Sequence, residues 1–349
     1  MTNDPMLDDA YNDLPENNRY TVQDALRALQ AQQETIASPA VVFGFSNVLQ
    51  ADLEAIRPDW LALPADRRRQ VMQHLAEVSE VDFSVDYNEF ARLGYADPDH
   101  EVRLAAIQAG WADESLETMH HLMDMATRDA LPEVRAAAIQ QLGKFIYLGE
   151  VEDLNHENTV PVEELALRLH EDNTQSLDVQ RRALEALSHC SRPGIIDLIK
   201  RAYTHPDLPM KVSAINAMGN TCDAMWSQII LAELDSEQPQ IVFEAVRAAG
   251  AVGVREAVEK LSDFVYSDDR EIQEAAIWAL GEIGGEKAVD ILTQLEAHAE
   301  DAGDEELSEA IEEALGMATI MTDIADDFDM LVYEDDEDDE DDDLDAYFD

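Results

Sequence analysis

The stretch PEVRAAAIQQLGKF, residues 132–145, decides the fold of this chain. Numbered from Val134 as position 0, it is apolar at 0, small at 4, aliphatic at 5, apolar at 8 and small or Gly at 9. At 3.6 residues per turn those positions share one face of a helix. Pro132 stands in the first turn, where its missing N–H has no partner to lose. Gly143 follows the last apolar position, where a chain leaving a helix can need positive φ. Ala137 and Ala138 leave little bulk, so a neighbouring helix can come close.

The same template fits Val102 with Ala106-Ile107, Val179 with Ala183-Leu184-Leu187, and Met210 with Ala214-Ile215-Met218-Gly219. It fits Ile241 with Ala245-Val246-Ala249-Gly250, and Ile272 with Ala276-Ile277-Leu280-Gly281. Degenerate copies start near Arg67 (Val71, Met72, Leu75, Ala76) and Leu307 (Ala310, Ile311, Leu315, Gly316). The steps between anchors run from about 31 to about 45 residues, the signature of a stacked array. Second amphipathic segments lie between anchors, at 116–126, 162–170, 195–202, 225–234, 257–265 and 288–297. Two helices per period predict an all-α solenoid of about seven to eight helical hairpins, without strands.

The residues D-x-x-P-x-V-R-x-A-A-x-x-L-G, as in 129–143 and loosely in 97–110, resemble HEAT repeats of the short bacterial, phycobilisome-lyase type. The resemblance covers residues 60–318. It implies a fold, since such repeats serve scaffolds, adaptors, lyases and hydroxylases alike. Repeats of the family usually carry Arg directly after the Val. Arg103 and Arg135 match, but Gln180, Lys211, Val242 and Gln273 replace it, so an incomplete polar ladder is expected between repeats.

The formal charge is −54 and the sequence pI about 4.1. The last 27 residues hold 16 acids and no base, so body and tail are both acidic. Phosphate binding needs clustered Lys and Arg, which argues against nucleic acid and anionic membranes as direct partners. A protein with a basic surface is the favoured partner; a solvated surface or salt adaptation, which 5 Lys against 18 Arg would also fit, is the plain alternative. Cys190 and Cys222 sit in matching places of successive repeats and read as two buried small residues, since no metal-ligand spacing joins them. No signal peptide and no membrane span are legible, so a cytoplasmic location is expected.

Residues 1–19 read as a disordered acidic arm. Residues 20–59 read as a helical cap: Thr21 with Asp24 opens a helix to about Ile36, Ser38-Pro39 breaks it, and Pro58 and Pro64 punctuate the chain before the first repeat. Residues 149–160 read as an inserted loop. Residues 319–349 read as a disordered acidic tail carrying Leu344, Tyr347 and Phe348.

No catalytic motif, metal site or cofactor is expected. Deoxyhypusine hydroxylases, which are built from HEAT repeats, hold iron with His-Glu pairs at equivalent helix positions. His100-Glu101, His156-Glu157 and His170-Glu171 are not equivalent in the repeat, and His120, His121 and Asp124 read as exposed residues. In HEAT arrays the anchor-type helix lines the concave face. Its position 6 gives the row Gln108, Gln140, Glu185, Asn216, Arg247, Trp278, with Phe243 added at position 2. Trp278 and Phe243 mark either a partner-binding hot spot or packing against a neighbouring segment. The reading is a non-enzymatic scaffold or adaptor that engages a protein through this row and through the tail at Leu344, Tyr347 and Phe348. The alternatives are an acidic chaperone or nucleic-acid mimic that masks a basic protein, and a lyase-like or hydroxylase-like enzyme.

Overall fold

The computed structural model describes residues 20–30 and 36–334, with side chains through Thr322 apart from Asp301. Among these residues there are eighteen α-helices, two short 3-10 turns and no strand. The contacts divide the chain into two compact units, Met1–Leu198 and Ile199–Asp349.

In the first unit, α1 (Val22–Gln30), α2 (Pro39–Phe45) and α3 (Gln50–Ala62) come first, followed by α4 (Ala65–Val81), α5 (Asn88–Tyr95) and α6 (His100–Ala109). Then come α7 (Leu116–Arg128), α8 (Pro132–Glu150), α9 (His156–Glu171) and α10 (Leu177–Leu187). Helices α4, α6, α8 and α10 pack side by side as one row, and α5, α7 and α9 cover it. The division between units falls inside α11 (Ile195–Tyr203).

The second unit repeats the plan. Helices α12 (Leu208–Asn220), α14 (Pro239–Val252), α16 (Arg270–Ile283) and α18 (Glu305–Glu334) form the row. Helices α13 (Ser227–Glu233), α15 (Val258–Phe264) and α17 (Glu286–Ala302) pack against it. Every template copy thus lies on a row helix. Val134, Ala138, Ile139 and Leu142 are fully buried, as are Ala214, Ile215 and Met218 in α12 and Ala276 and Leu280 in α16. Each such Val, Leu, Ile or Met side chain contributes about 1.5–3 kcal/mol relative to exposure.

The glycines at position 9 have a different cause from the one expected. Gly143 lies inside α8, which continues to Glu150. A Cβ on Gly143 would stand 3.2 Å from the Ala186 Cα on α10. In the second unit the same seat recurs: Gly219 meets Ala248, Gly250 meets Ala279 and Gly281 meets Ala314, at 3.0, 2.8 and 3.1 Å from the Cα. Each partner alanine stands at position 7 of the next copy. The template omits that position, and it is what lets row helices touch backbone to backbone. Gly250→Ala therefore forces a backbone shift and should cost about 1–3 kcal/mol. Gly316→Ala meets nothing within 4 Å on an exposed helix face and should instead stabilise by about 0.5–1 kcal/mol. Urea unfolding of the two variants checks the opposite signs.

The last copy also shifts register. Leu307, Ile311, Ala314 and Ala318 are buried, whereas Gly316 is exposed and Leu315 only half-buried. The helix begun there runs to Glu334, past the boundary expected at residue 318. Residues 1–19 and 335–349, and with them Leu344, Tyr347 and Phe348, lie outside the described residues.

The inserted loop expected at 149–160 is mostly helix. Helix α8 takes up Gly149-Glu150, and Asn155 caps α9 through the Glu157 N–H at 2.9 Å. Pro58 does not end a helix either; it sits inside α3, where it and Glu54, whose carbonyl loses its partner, are both exposed. The Thr21–Asp24 box forms as read: the Thr21 N–H donates to Asp24 at 3.2 Å and the Asp24 N–H to Thr21 Oγ1 at 3.3 Å. Cys190 is buried, but Cys222 is exposed at φ +49°, just past the end of α12 where the chain turns left-handed.

The polar ladder is incomplete, as expected, and the structure shows where. In the first unit Arg69 forks onto Asp99 at 2.8 and 2.7 Å, and Arg103 onto Asp129 at 2.7 and 2.9 Å. Arg135 reaches Gln175 at 3.2 Å. The Arg69 guanidinium holds the Asp99 carboxyl well below the usual carboxylate range. That pairing stabilises the fold above the ordinary carboxylate pKa of about 4 and is lost as pH falls through the folded-state value. In the second unit Lys211 turns to Glu233 at 2.8 Å, and Gln273 donates to the Val265 carbonyl at 2.8 Å.

Candidate functional site

The row helices of the second unit are set by their ends. Asp207 accepts from the Met210 N–H, Pro239 opens α14, and Asp269 accepts from the N–H groups of Glu271 and Ile272. With starts and glycine seats in register, position 6 of each helix falls at Asn216, Arg247 and Trp278. Asn216 Nδ2 donates to Glu244 Oε2 at 3.2 Å, and Arg247 Nη1 lies 4.0 Å from the same oxygen. The Arg247 guanidinium stands over the Phe243 ring at 5.9 Å. Such a cation–π contact is worth about 0.5–1 kcal/mol at an exposed site.

Trp278 is 41% exposed and lies over Gly250, whose missing side chain makes room for the indole. Phe243 and Arg247 thus pair on α14, and Trp278 of the adjoining α16 is seated on Gly250 of that same helix. Phe243 is half-buried and Arg247 exposed. The face offers a flat aromatic and a guanidinium held partly in place by Glu244.

In the first unit the row divides. Gln108 and Gln140 are exposed on α6 and α8. Glu185 is buried and does not belong to an exposed row. Arg182 Nη1 donates to it at 2.6 Å and Arg181 lies 3.7 Å away, so two arginines one turn earlier fold over the carboxylate.

Two features escaped the sequence. A cavity of about 430 Å³ between α3, α5 and α7 is lined by Arg57, Arg92, Tyr95, His121, Asp124 and Arg128, among others. Its charges are largely committed: Arg92 holds Asp113 at 2.6 Å and Arg128 holds Asp124 at 2.7 Å. The helix α5 that forms one wall buries Phe90, Ala91, Leu93, Gly94 and Tyr95, a signal the 31-residue template passed over.

The second is Lys144 on α8, whose ammonium donates to the Trp111 carbonyl and whose pKa burial pushes down to about 8. A lysine lowered in the folded state releases its proton there first as pH rises. The unfolded chain then binds more protons, and this group adds stability between about pH 8 and the ordinary lysine value of about 10.4. Lys144→Met should remove that rise, read as the difference between the two proteins' unfolding free energies across the window. Among the described residues no group of three His, Cys, Asp or Glu gathers to hold a metal ion, and no helix is long and apolar enough to cross a membrane.

This geometry, paired helices in a row with small residues at the contacts, recurs in known proteins. Residues 227–316 match the family model for HEAT repeats. The match takes in α13 to α17 and the start of α18, hence the Trp278 face. Comparison with curated proteins gives no match. Solved structures with a similar arrangement include YibA of Escherichia coli, 16% identical, covering 76% of this chain and 96% of that one with a TM-score of 0.39. Human deoxyhypusine hydroxylase in complex with glycerol is 15% identical, covering 77% of this chain and 96% of that one, TM-score 0.34. Importin beta is 14% identical over 85% of this chain and 48% of that one, TM-score 0.41. Likenesses this distant say nothing of what the HEAT-like chain binds.

Proposed function

We propose that the chain is a non-enzymatic interaction protein, and that it holds a protein partner against the exposed face of α14 and α16. The observation that carries this is Trp278, a partly exposed indole seated on Gly250 of α14, the helix that also carries Phe243 and Arg247. An aromatic kept half in water gains by being covered, and Trp and Arg are the side chains from which interface hot spots are built. The matched repeat type, which commonly serves as an interaction scaffold, supports the same reading. The net charge of −54 favours a partner with a basic surface, because long-range attraction speeds encounter.

The test is affinity capture from the source cell, comparing the full chain with its Trp278→Ser/Arg247→Ala variant. Retention of a specific partner should fall by about tenfold or more, the loss of one hot spot. Equal retention would remove this face from the proposal. The same charge supports a second reading, an acidic chaperone that masks basic proteins. There, binding would collapse as salt shortens the screening length from about 10 Å towards 3 Å and would ignore the Trp278 substitution.

A further inference from the structure

We propose that the edge of the first unit where α4, α6 and α8 end docks a partner-protein segment that sets apolar side chains among Lys and Arg. The inference rests on the interaction reading above but uses a different surface, so its failure leaves the Trp278 face standing.

The packing rule of the row breaks at Trp111. In α8, α12, α14 and α16 position 9 is Gly, and it receives an alanine at position 7 of the next copy. In the copy that begins at Val102, position 9 is Trp111, and position 7 of the next copy is Gln141. Helix α6 stops at Ala109, so the tryptophan lies just past its end. Gln141 Nε2 donates to the Trp111 carbonyl at 3.1 Å, and the Lys144 ammonium donates to the same oxygen. A seat that elsewhere joins two backbones is replaced here by hydrogen bonds. Accordingly, α6 and α8 pack more loosely than α4 with α6 or α8 with α10. Stacking of the row does not call for an indole at this place, yet one stands there 40% exposed.

The indole does not stand alone. Its Nε1–H donates to the Ser79 carbonyl, in the last turn of α4, at 3.4 Å. Val81 closes that helix and Phe83 follows it, each 71% exposed. On α8, Tyr147 stands three residues after Lys144, hence on the same face. Tyr147 is 51% exposed, and its ring meets His189 edge-on at 6.1 Å. Four large apolar side chains are thus open to solvent along the bonds that tie α4, α6 and α8 together. The end of α14 is unlike this: it turns at Gly253, and Val254 behind it is buried. Apolar side chains exposed together within a polar rim mark an interaction site. Two of these rings are already oriented by their neighbours, which lowers the entropy that docking must overcome.

Charge selects the occupant. The segments that build the edge, residues 70–91, 104–127 and 136–167, contain a single Lys or Arg, Lys144. Glu77, Glu80, Asp86, Glu114 and Glu150 are exposed on them. Lys144 is half-buried and turned to the Trp111 carbonyl, so it does little to offset these acids. A second copy would set acids against acids. Residues 1–19, with five acids and one Arg, would do the same. A partner segment with Lys and Arg around its apolar anchors is drawn in by the carboxylates and held by the rings.

The experiment titrates the full chain with two labelled peptides at physiological ionic strength. One carries Leu among Lys; the other has Ser in place of each Leu. Fluorescence anisotropy should show the Leu/Lys peptide binding about tenfold tighter, and Phe83→Ser/Trp111→Ser should abolish that difference while leaving the Ser/Lys affinity unchanged. Phe83→Ser alone, at a side chain too exposed to matter for folding, should narrow it. Trp278→Ser/Arg247→Ala should leave both affinities unchanged, which separates this edge from the α14–α16 face. Equal binding of the two peptides would overturn the proposal. So would a Leu/Lys affinity that follows Trp278, or a dimer in sedimentation that Phe83→Ser/Trp111→Ser dissociates. Faster amide exchange of residues 1–19 in that double variant would make the chain's own arm the occupant, and would overturn it equally.

Discussion

Arg68→Met should lower the stability of the first unit by about 3–5 kcal/mol, the cost of stranding a buried charge. Arg68 and Asp97 have side chains 7% and 0% exposed, and the guanidinium forks onto the carboxylate at 2.8 and 3.0 Å. Asp97 also accepts the Trp60 indole N–H at 3.0 Å and the Asp99 N–H at 2.9 Å, while Arg68 reaches the Leu63 carbonyl at 2.5 Å. One ion pair thus fastens α3 to α4 and to the loop before α6. Methionine keeps most of the volume and removes only the charge and its donors. Asp97 would then be an unpaired anion away from water. The measurement is amide exchange with urea unfolding: protection should fall in α3 to α6 and persist in α12 to α16. The double variant Arg68→Met/Asp97→Asn should recover part of the loss, because no charge is left stranded. Unchanged protection in Arg68→Met would mean that water relieves the charge.

Ala138→Glu should be at least as damaging. Ala138 is fully buried in α8, the helix that packs against α6, α7, α9 and α10. The substitution asks for volume where none is free and for solvation where none is offered. An unpaired buried carboxylate costs several kcal/mol, on the order of the whole margin of a small domain. The expected result is a first unit that loses its cooperative transition, with far-ultraviolet dichroism reduced by its share of helix. A wild-type melting curve would mean that the buried face of the repeat is not where the spacing puts it. Ala137, next in sequence but half-buried, should tolerate the same change far better.

That contrast shows how much could be read before the structure. The template positions around Val134, Ile241 and Ile272 are periodic, and a period is a property of sequence alone. It requires helices, and its recurrence requires that they stack. What periodicity cannot supply is the identity of the neighbour. Gly143 read as a helix end because glycine permits positive φ; it proved to be a seat for Ala186, as Gly250 is for Ala279, a fact about a helix more than twenty residues away. Glu185 sits at the same template position as Trp278, yet Arg181 and Arg182 bury it while the indole stays 41% exposed.

The candidate site divides the same way. That position 6 of each row helix shares a face was legible from spacing, and so was the oddity of Trp278 and Phe243 among polar residues. That Arg247 lies over Phe243, that Glu244 joins Asn216 to Arg247, and that Gly250 makes the seat for the indole depended on helices packed at a given register. The sequence by itself determined the helical class, the repeat and the acidity, because these follow from local periodicity and from counting charges. Only the tertiary structure decided which small residues carry helix contacts, which arginines are buried with which aspartates, and that the last row helix continues past Gly316. Those depend on which surfaces meet, and one-dimensional spacing does not encode a meeting between residues it sets far apart.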